Sequence, residues 1–460
     1  MSRQTITEKI VQRHAVGLAK GHVVRAGDMV TIRPFHILTH DNTGAVMPKL
    51  RSIGATRVAD PSQPVFALDH NVQDTSPENR AKYERIEQFA RDQGIVFHPA
   101  GAGIGHQLMM ENGFVQPGTL VVASDSHANM YGALSALGTP VVRTDAAAIW
   151  ATGTCWWQVP RTVKVILEGE LAPGVSGKDV ILTLCGLYSQ GEVLNAAVEL
   201  HGSGVEDLSM SERMTIANMT TEWGALVGWF PFDAVTKAYL RERAERLRAR
   251  GITDRLTDAM IAAWDEMPPH PDPDAEYAAE IRLDLTQVSP HVAGPDTVSR
   301  IRPVAELSGS KQDRVRIHKA YLLSCVNSRL DDLEEAARVL DGQQVADGVE
   351  LYMAAASAEV QQEAEASGTW QILLDAGARP LPPGCGACIG LGTGLLEPGQ
   401  VGISATNRNF KGRMGSREAH AYLASPAVVA ASAAAGYITA PNSAASSLPE
   451  RAFCEHALEP

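Results

Sequence analysis

Three features of the sequence predict an α/β fold. Short apolar runs alternate along the chain with stretches of helical periodicity. The 460 residues are 45% hydrophobic and 20% charged, with 40 Gly and 26 Pro, a mixed globular composition with ample core material. No apolar stretch reaches the roughly 18 residues needed to cross a membrane, so no membrane partner is expected. The length suits two or three domains, and the composition excludes a disordered, collagen-like or coiled-coil chain. Forty Lys and Arg against 53 Asp and Glu give a net charge of −13, which argues against a nucleic-acid partner. An anionic small molecule stays possible, because a few arginines in a cleft reverse the field locally.

The elements follow in order. Ile6, Ile10 and Val11 share one face of a first helix that Thr5 or Thr7 would cap, with Glu8 in its first turn. This helical pattern is preferred to a targeting leader, although the segment is basic. Strands are expected at Val65–Leu68 and Leu120–Ala123, and helices at Glu78–Asp92 and Ala146–Thr154. A strand at Val163–Glu168 followed by LAPGVSGKD opens a second unit. There a charged helix at Lys237–Arg250 leads to the surface connection PPHPDPD, Pro268–Asp274. The Arg/Glu alternation of that helix reads as a solvated face. A third unit begins with a strand at Val315–Ala320, continues in a helix at Leu333–Leu340, and closes on the small apolar stretch Ala424–Ala440, read as a buried helix. The division is residues 1–160, 161–312 and 313–440, with a loosely ordered polar tail at 441–460.

Six cysteines (155, 185, 325, 385, 388 and 454) are too sparse for a disulfide scaffold and point to a reducing, cytoplasmic setting. Cys385 and Cys388 form a C-x-x-C between glycines. That motif is open to three readings: half a zinc site, a dithiol pair, or part of an iron–sulfur site, with Cys325 in LLSCVNSR as a third thiolate. Histidines stand beside carboxylates after strand-like runs: Asp69-His70 after VFAL and Asp125-Ser126-His127 after VVAS, with His106 in a Gly-rich turn. A carboxylate on one ring nitrogen fixes the imidazole tautomer and raises its basicity, as proton transfer requires. Either D-H or D-S-H could be a polar turn; three such sites within 130 residues favour chemistry. Arg408 and Arg413, five apart beside Gly412, could clamp a carboxylate or form a basic surface loop.

Taken together these segments resemble the aconitase family of iron–sulfur hydro-lyases, nearest its homoaconitase and 3-isopropylmalate dehydratase large-subunit branches. The resemblance is carried, in family order from Gln4 to Ile438, by LTHDNTGAVMPKLRSIGA, FALDHNVQ, GIGHQ, VASDSHANMYGALSALGTPVVRTDAAAIWATG, WWQVP, SMSERMTIANMTTEWGA, SCVNSR, GCGACIGLGTGLLEPGQVGISATNRNFKGRMGS and AYLASPAVVAAS. It implies three α/β subdomains around a [4Fe–4S] cluster with one open iron, held by Cys325, Cys385 and Cys388. It further implies carboxylate–imidazole pairs Asp69–His70, Asp125–His106 and Glu199–His127, and a substrate clamp of Arg408 and Arg413. Ser126, Asn327 and Asn407 take the places of further substrate- or cluster-side groups. The implied reaction removes water from, or adds it to, a homoaconitate-like or isopropylmalate-like hydroxy di- or tricarboxylic acid, a small anionic substrate.

Single-chain relatives continue into a swivelling C-terminal domain that supplies a catalytic base, and nothing in Pro441–Pro460 resembles it. The resemblance therefore implies a separate small subunit, in a heterodimer or larger assembly. Because it starts at Gln4, it leaves little room for a transit peptide. Three residues depart from the family pattern: Val326 in place of Thr, Ala387 in place of Pro, and Ala102 where homoaconitase-like chains carry Arg. They bear on the substrate, and they motivate the alternative of another alkylmalate or maleate analogue. The alternative of another class is a cluster-sensing, nucleic-acid-binding regulator, disfavoured by the intact imidazole pairs and the charge.

Overall fold

A computed structural model describes residues 3–307, 314–441, 449 and 451–456. Its first unit is a five-stranded parallel sheet in the order 96–98, 64–67, 36–39, 120–123, 137–140. Pro64–Ala67 and Leu120–Ala123 are buried at every position, the continuous apolar pattern of a parallel strand covered on both faces. Helices Thr43–Ser52, Pro77–Gln93, Gly105–Glu111 and Arg143–Thr152 accompany these strands. The first helix, Ile6–His14, starts on a reciprocal cap: Thr5 Oγ1 accepts from the Glu8 N–H at 3.3 Å, and Glu8 accepts from the Thr5 N–H at 2.9 Å.

The second unit is a sheet in the order 227–229, 197–201, 162–168, 279–284, 452–455, parallel except at the last strand. That last strand, Ala452–Glu455, lies in the stretch expected to be a loose tail; it pairs antiparallel along Ala279–Arg282. Residues 442–448, 450 and 457–460 of that stretch lie outside the described residues. The helix Met210–Trp223 packs between this sheet and the first unit.

The third unit is a seven-stranded sheet in the order 301–303, 291–293, 420–423, 401–404, 319–322, 350–353, 379–380. Its first two strands precede residue 313, so strands that the sequence division put in the second unit pair in the third. The expected strand at Val315–Ala320 falls instead at Lys319–Leu322, buried throughout. The polar alternation of Val315–His318 imitates a half-exposed strand, whereas the parallel position inside the sheet takes the fully buried run that follows. Pro426–Ala435 is the buried helix expected near the end of the unit. Among the described residues, no helix is long and apolar enough to cross a membrane.

Candidate functional site

Each parallel strand ends where its next residues can reach a ligand, and here those ends converge. His40 follows the strand His36–Thr39, Asp69 and His70 follow Pro64–Ala67, and Asp125 follows Leu120–Ala123. From the third unit, Cys325 follows Lys319–Leu322, while Asn407 and Arg408 follow Val401–Ser404. Together with Cys385, Cys388, Ser126, His106, His127 and Arg413 these side chains line one cavity of about 280 Å³.

Asp69 Oδ1 lies 2.6 Å from His70 Nδ1, and its other oxygen accepts from the Gly105 N–H at 2.7 Å. Asp41 fixes the turn below by accepting from the backbone N–H groups of Asp69 at 3.0 Å and His70 at 2.8 Å. Burial alone would lower the His70 pKa, but the charge and hydrogen bond of Asp69, with Asp125 and Asp41 behind, lift it to about 9. His40, stacked on His70 with ring centroids 3.8 Å apart, is lowered to about 4 by burial and by that neighbouring charge. Asp125 Oδ1 lies 2.7 Å from His106 Nε2, and Tyr131 Oη lies 2.9 Å from the other ring nitrogen. Burial would raise the Asp125 carboxyl; His106 and His127 outweigh it and hold the group well below its ordinary range.

The third pair is not the expected one. His127 Nε2 lies 2.9 Å from Glu222, not Glu199. Glu199 is fully buried on the strand Ala197–His201, where it accepts from the Thr7 N–H and hydroxyl, each at 3.0 Å, and from Tyr277 at 3.0 Å. It braces the first helix against the second sheet and does not line the cavity. Glu222 sits near the end of the helix Met210–Trp223. Its Oε1 also accepts from Arg408 Nε at 2.6 Å, and His127 and Arg408 pull its pKa down against the upward push of burial. Asn327 too lies outside the cavity lining, in a buried network with Thr215 and Asp332.

Arg413 brings a buried Nε with no hydrogen-bond partner among the described residues, a donor available to an anion. Sequence reasoning missed Glu222, His40, Arg143, Ser324 and Asn218. Both Glu222 and Asn218 stand inside the segment SMSERMTIANMTTEWGA, so the signal was present; its direction was not.

Whether the three thiols suit an iron–sulfur cluster can be tested on their surroundings. All three are buried and free of disulfides. The side-chain amides of Asn218 and Asn407 donate to Cys325 Sγ at 3.1 and 3.4 Å. Cys388 Sγ lies 3.5 Å from Ser324 Oγ and 3.6 Å from Asn407 Oδ1. Amide donors aimed at sulfur are what a cluster thiolate needs. The C-x-x-C turn is docked onto the Asp-His turn: the Cys385 N–H donates to the Asp69 carbonyl at 2.6 Å and the Gly386 N–H to that of His70 at 3.3 Å. Gly384 permits that approach, since a Cβ there would stand 2.7 Å from Val72 and 2.9 Å from the Asp69 carbonyl. The donor set therefore fits a cluster held at three corners. Burial pushes the Cys325 thiol up to about 12, with Cys388 adding to the rise, so metal binding must carry off its proton.

Of the departures from the family pattern, Val326 and Ala387 are fully buried, and Ala102 lies outside the cavity lining. The Val326 carbonyl accepts from Thr215 Oγ1 at 2.9 Å and from Arg329 at 2.6 Å.

Three α/β units closing on a cavity of thiols, imidazoles and guanidinium groups define a class, the multidomain α/β proteins whose strand ends enclose a shared polar site. Residues 8–436 match the Aconitase family (aconitate hydratase). The chain belongs to that family. It is similar to proteins named homoaconitase, mitochondrial, from Cryptococcus neoformans var. neoformans serotype D (54% identical over 462 residues, 96% of this chain and 62% of that one) and from Eremothecium gossypii (58% over 447 residues, 96% and 64%). A third, from Yarrowia lipolytica, is 56% identical over 438 residues, 95% of this chain and 63% of that one. The chain thus spans a little over three fifths of the length of these curated relatives. A solved structure, Thermococcus kodakaraensis aconitase X in its holo-form, matches 82% of this chain and 84% of that one with a TM-score of 0.46 and 14% identity.

Two expectations are corrected here. A cytoplasmic location does not stand, because the relatives are named mitochondrial. Each relative is a single chain longer than this one, so a separate small subunit gains no support from them.

Proposed function

We infer that this chain is the cluster-bearing part of a hydro-lyase that moves water on and off a homoaconitate-like or isopropylmalate-like hydroxy acid. The observation that supports this best is the single cavity in which three cysteines, the imidazoles of three carboxylate–imidazole pairs and three arginines meet. When bound, a [4Fe–4S] cluster on Cys325, Cys385 and Cys388 supplies a Lewis acid at its open iron for a substrate oxygen. The chain's own residues do the rest. Arg413 and Arg408 hold substrate carboxylates, and Glu222 keeps Arg408 aimed into the cavity. His70, protonated at neutral pH and held at Nδ1 by Asp69, presents Nε2 as the proton donor to the departing hydroxyl. His106, fixed between Asp125 and Tyr131, and His127, fixed by Glu222, orient the water and the second carboxylate. The relatives are longer single chains, which supports a further unit, beyond the segment they share with this chain, that supplies the base for the α-proton.

Anaerobic reconstitution tests the reading. Iron content and visible absorbance should report a four-iron cluster that Cys385→Ser abolishes, and a chain that folds yet takes up no iron would refute it. Combining the loaded chain with a swivelling unit and screening unsaturated di- and tricarboxylates by ultraviolet absorbance should then identify the acid.

A further inference from the structure

Lys178 is the second residue of the helix Gly177–Leu187 and is fully buried. Both circumstances are costly, since a cation at a helix N-terminus opposes the dipole and a buried ammonium loses its hydration. Its ammonium compensates with three donated hydrogen bonds: to the Thr406 carbonyl at 2.6 Å, the Ala405 carbonyl at 3.1 Å and Asn327 Oδ1 at 3.3 Å. An ammonium has three protons, and all three are used.

The acceptors are not scattered. Ala405 and Thr406 immediately precede Asn407, whose amide donates to Cys325 Sγ, and Arg408, which pairs with Glu222. Asn327 stands two residues after Cys325, and its own amide donates to Asp332 at 2.8 Å and to Thr215 at 3.1 Å. One side chain from the second unit therefore ties together the two turns of the third unit that bear a cluster cysteine and a substrate arginine. Arg329 closes the same turn from the other side, donating to the carbonyls of Cys325 at 3.1 Å and Val326 at 2.6 Å.

We propose that Lys178 is a positioning residue for the cluster: it fixes the Cys325 and Asn407 turns relative to each other and places one buried positive charge behind the cluster thiolates. The proposal rests on the cluster reading above. Its charge offsets part of the negative charge of three thiolates in a medium that screens poorly. Its hydrogen bonds set the separation of Cys325 Sγ from its amide donor.

Lys178→Met removes donors and charge at similar volume, while Lys178→Gln keeps a donor without the charge. Each variant and the parent chain would be reconstituted anaerobically, checked for fold by circular dichroism, and compared for iron retention and for the electron paramagnetic resonance spectrum of the reduced cluster. The methionine variant should lose iron about tenfold faster, and at a fixed potential its reduced fraction should fall about tenfold. The glutamine variant should recover retention in part but keep the reduction defect. Parent-like retention and spectra in a folded Lys178→Met chain would overturn the proposal. Should the methionine variant fail to fold, parent-like reduction in Lys178→Gln overturns it equally. A parent chain that takes up no cluster refutes the functional reading itself, a separate result seen before any variant is compared.

Discussion

Glu222 Oε1 serves two partners at once, the His127 ring and the Arg408 guanidinium, so one carboxylate orients both an imidazole and a guanidinium of the cavity. Glu222→Gln should therefore lower kcat/KM by about 100-fold in the turnover-competent enzyme, with little change in melting temperature. Glu199→Gln should do the reverse. It should leave kcat/KM within about twofold while costing about 2 kcal/mol of stability in urea unfolding, because it weakens three hydrogen bonds to a fully buried carboxylate. The contrast shows what the sequence can and cannot convey. VELH placed a carboxylate near a histidine, and MTTEWGA offered a second, each tens of residues from His127. Choosing between them requires knowing which way a strand residue points after folding, and alternation along Ala197–His201 turns Glu199 toward the first helix. Asp69 and His70 are neighbours in sequence, so their contact needs no fold to bring them together, whereas the Asp125–His106 pairing was implied only by the family resemblance. The stacked His40 and His70 rings yield another expectation at this scale. In the metal-free chain, nitrogen-15 spectra at neutral pH should show His70 protonated on both nitrogens and His40 neutral. Neither ring should titrate between pH 6 and 8, since their midpoints lie near 9 and 4.

Among the elements, the short helical segment Ala128–Leu134 carries an unusual packing constraint. It begins right after His127 and lies against the strand Val227–Trp229, with Gly132 at the contact. A Cβ on Gly132 would stand 1.5 Å from the Gly228 carbonyl oxygen, which no side-chain adjustment relieves. Gly132→Ala should thus cost about 3 kcal/mol, read as a lowered urea midpoint, and should displace His127 from Glu222. Most elements were legible because their periodicity is local: the Thr5 cap, the Pro77–Gln93 helix and the Leu120–Ala123 strand all announce themselves within a few residues. The misplaced Val315–Ala320 strand and the unexpected Ala452–Glu455 strand were not, because each is decided by a distant partner. A four-residue edge strand in a polar tail has no pattern of its own until Ala279–Arg282 offers it a ladder.

Across the whole molecule, Arg243 joins the three units. Its Nε donates to the Glu111 carbonyl at 3.0 Å in the first, its guanidinium pairs with Glu359 at 2.6 and 3.1 Å in the third, and it stands on the helix Ala234–Ala249 of the second. Arg243→Ala should cost about 2 kcal/mol, discounted from a fully buried pair because Glu359 is partly exposed and keeps Arg246. Burial would raise the Glu359 pKa, but Arg243 and Arg246 draw it below its ordinary 4.5. Its contribution is therefore complete above about pH 4.5 and is lost as pH falls through the lower folded value. Acid unfolding of the parent should be steeper below pH 4.5 than that of Arg243→Ala, as urea midpoints measured across that range would show. The sequence division put strands 291–293 and 301–303 with the second unit, and it did not foresee the return of residues 452–455 to the second sheet. That return has a mechanical consequence. The chain leaves the second sheet after Asp284 and rejoins it beside the same strand at Ala452, so the cysteine-bearing unit is anchored at both ends on neighbouring strands of one sheet. With the bonds that Cys385 makes to Asp69 and Arg243 to Glu359, that shared anchorage holds the thiols beside the imidazoles.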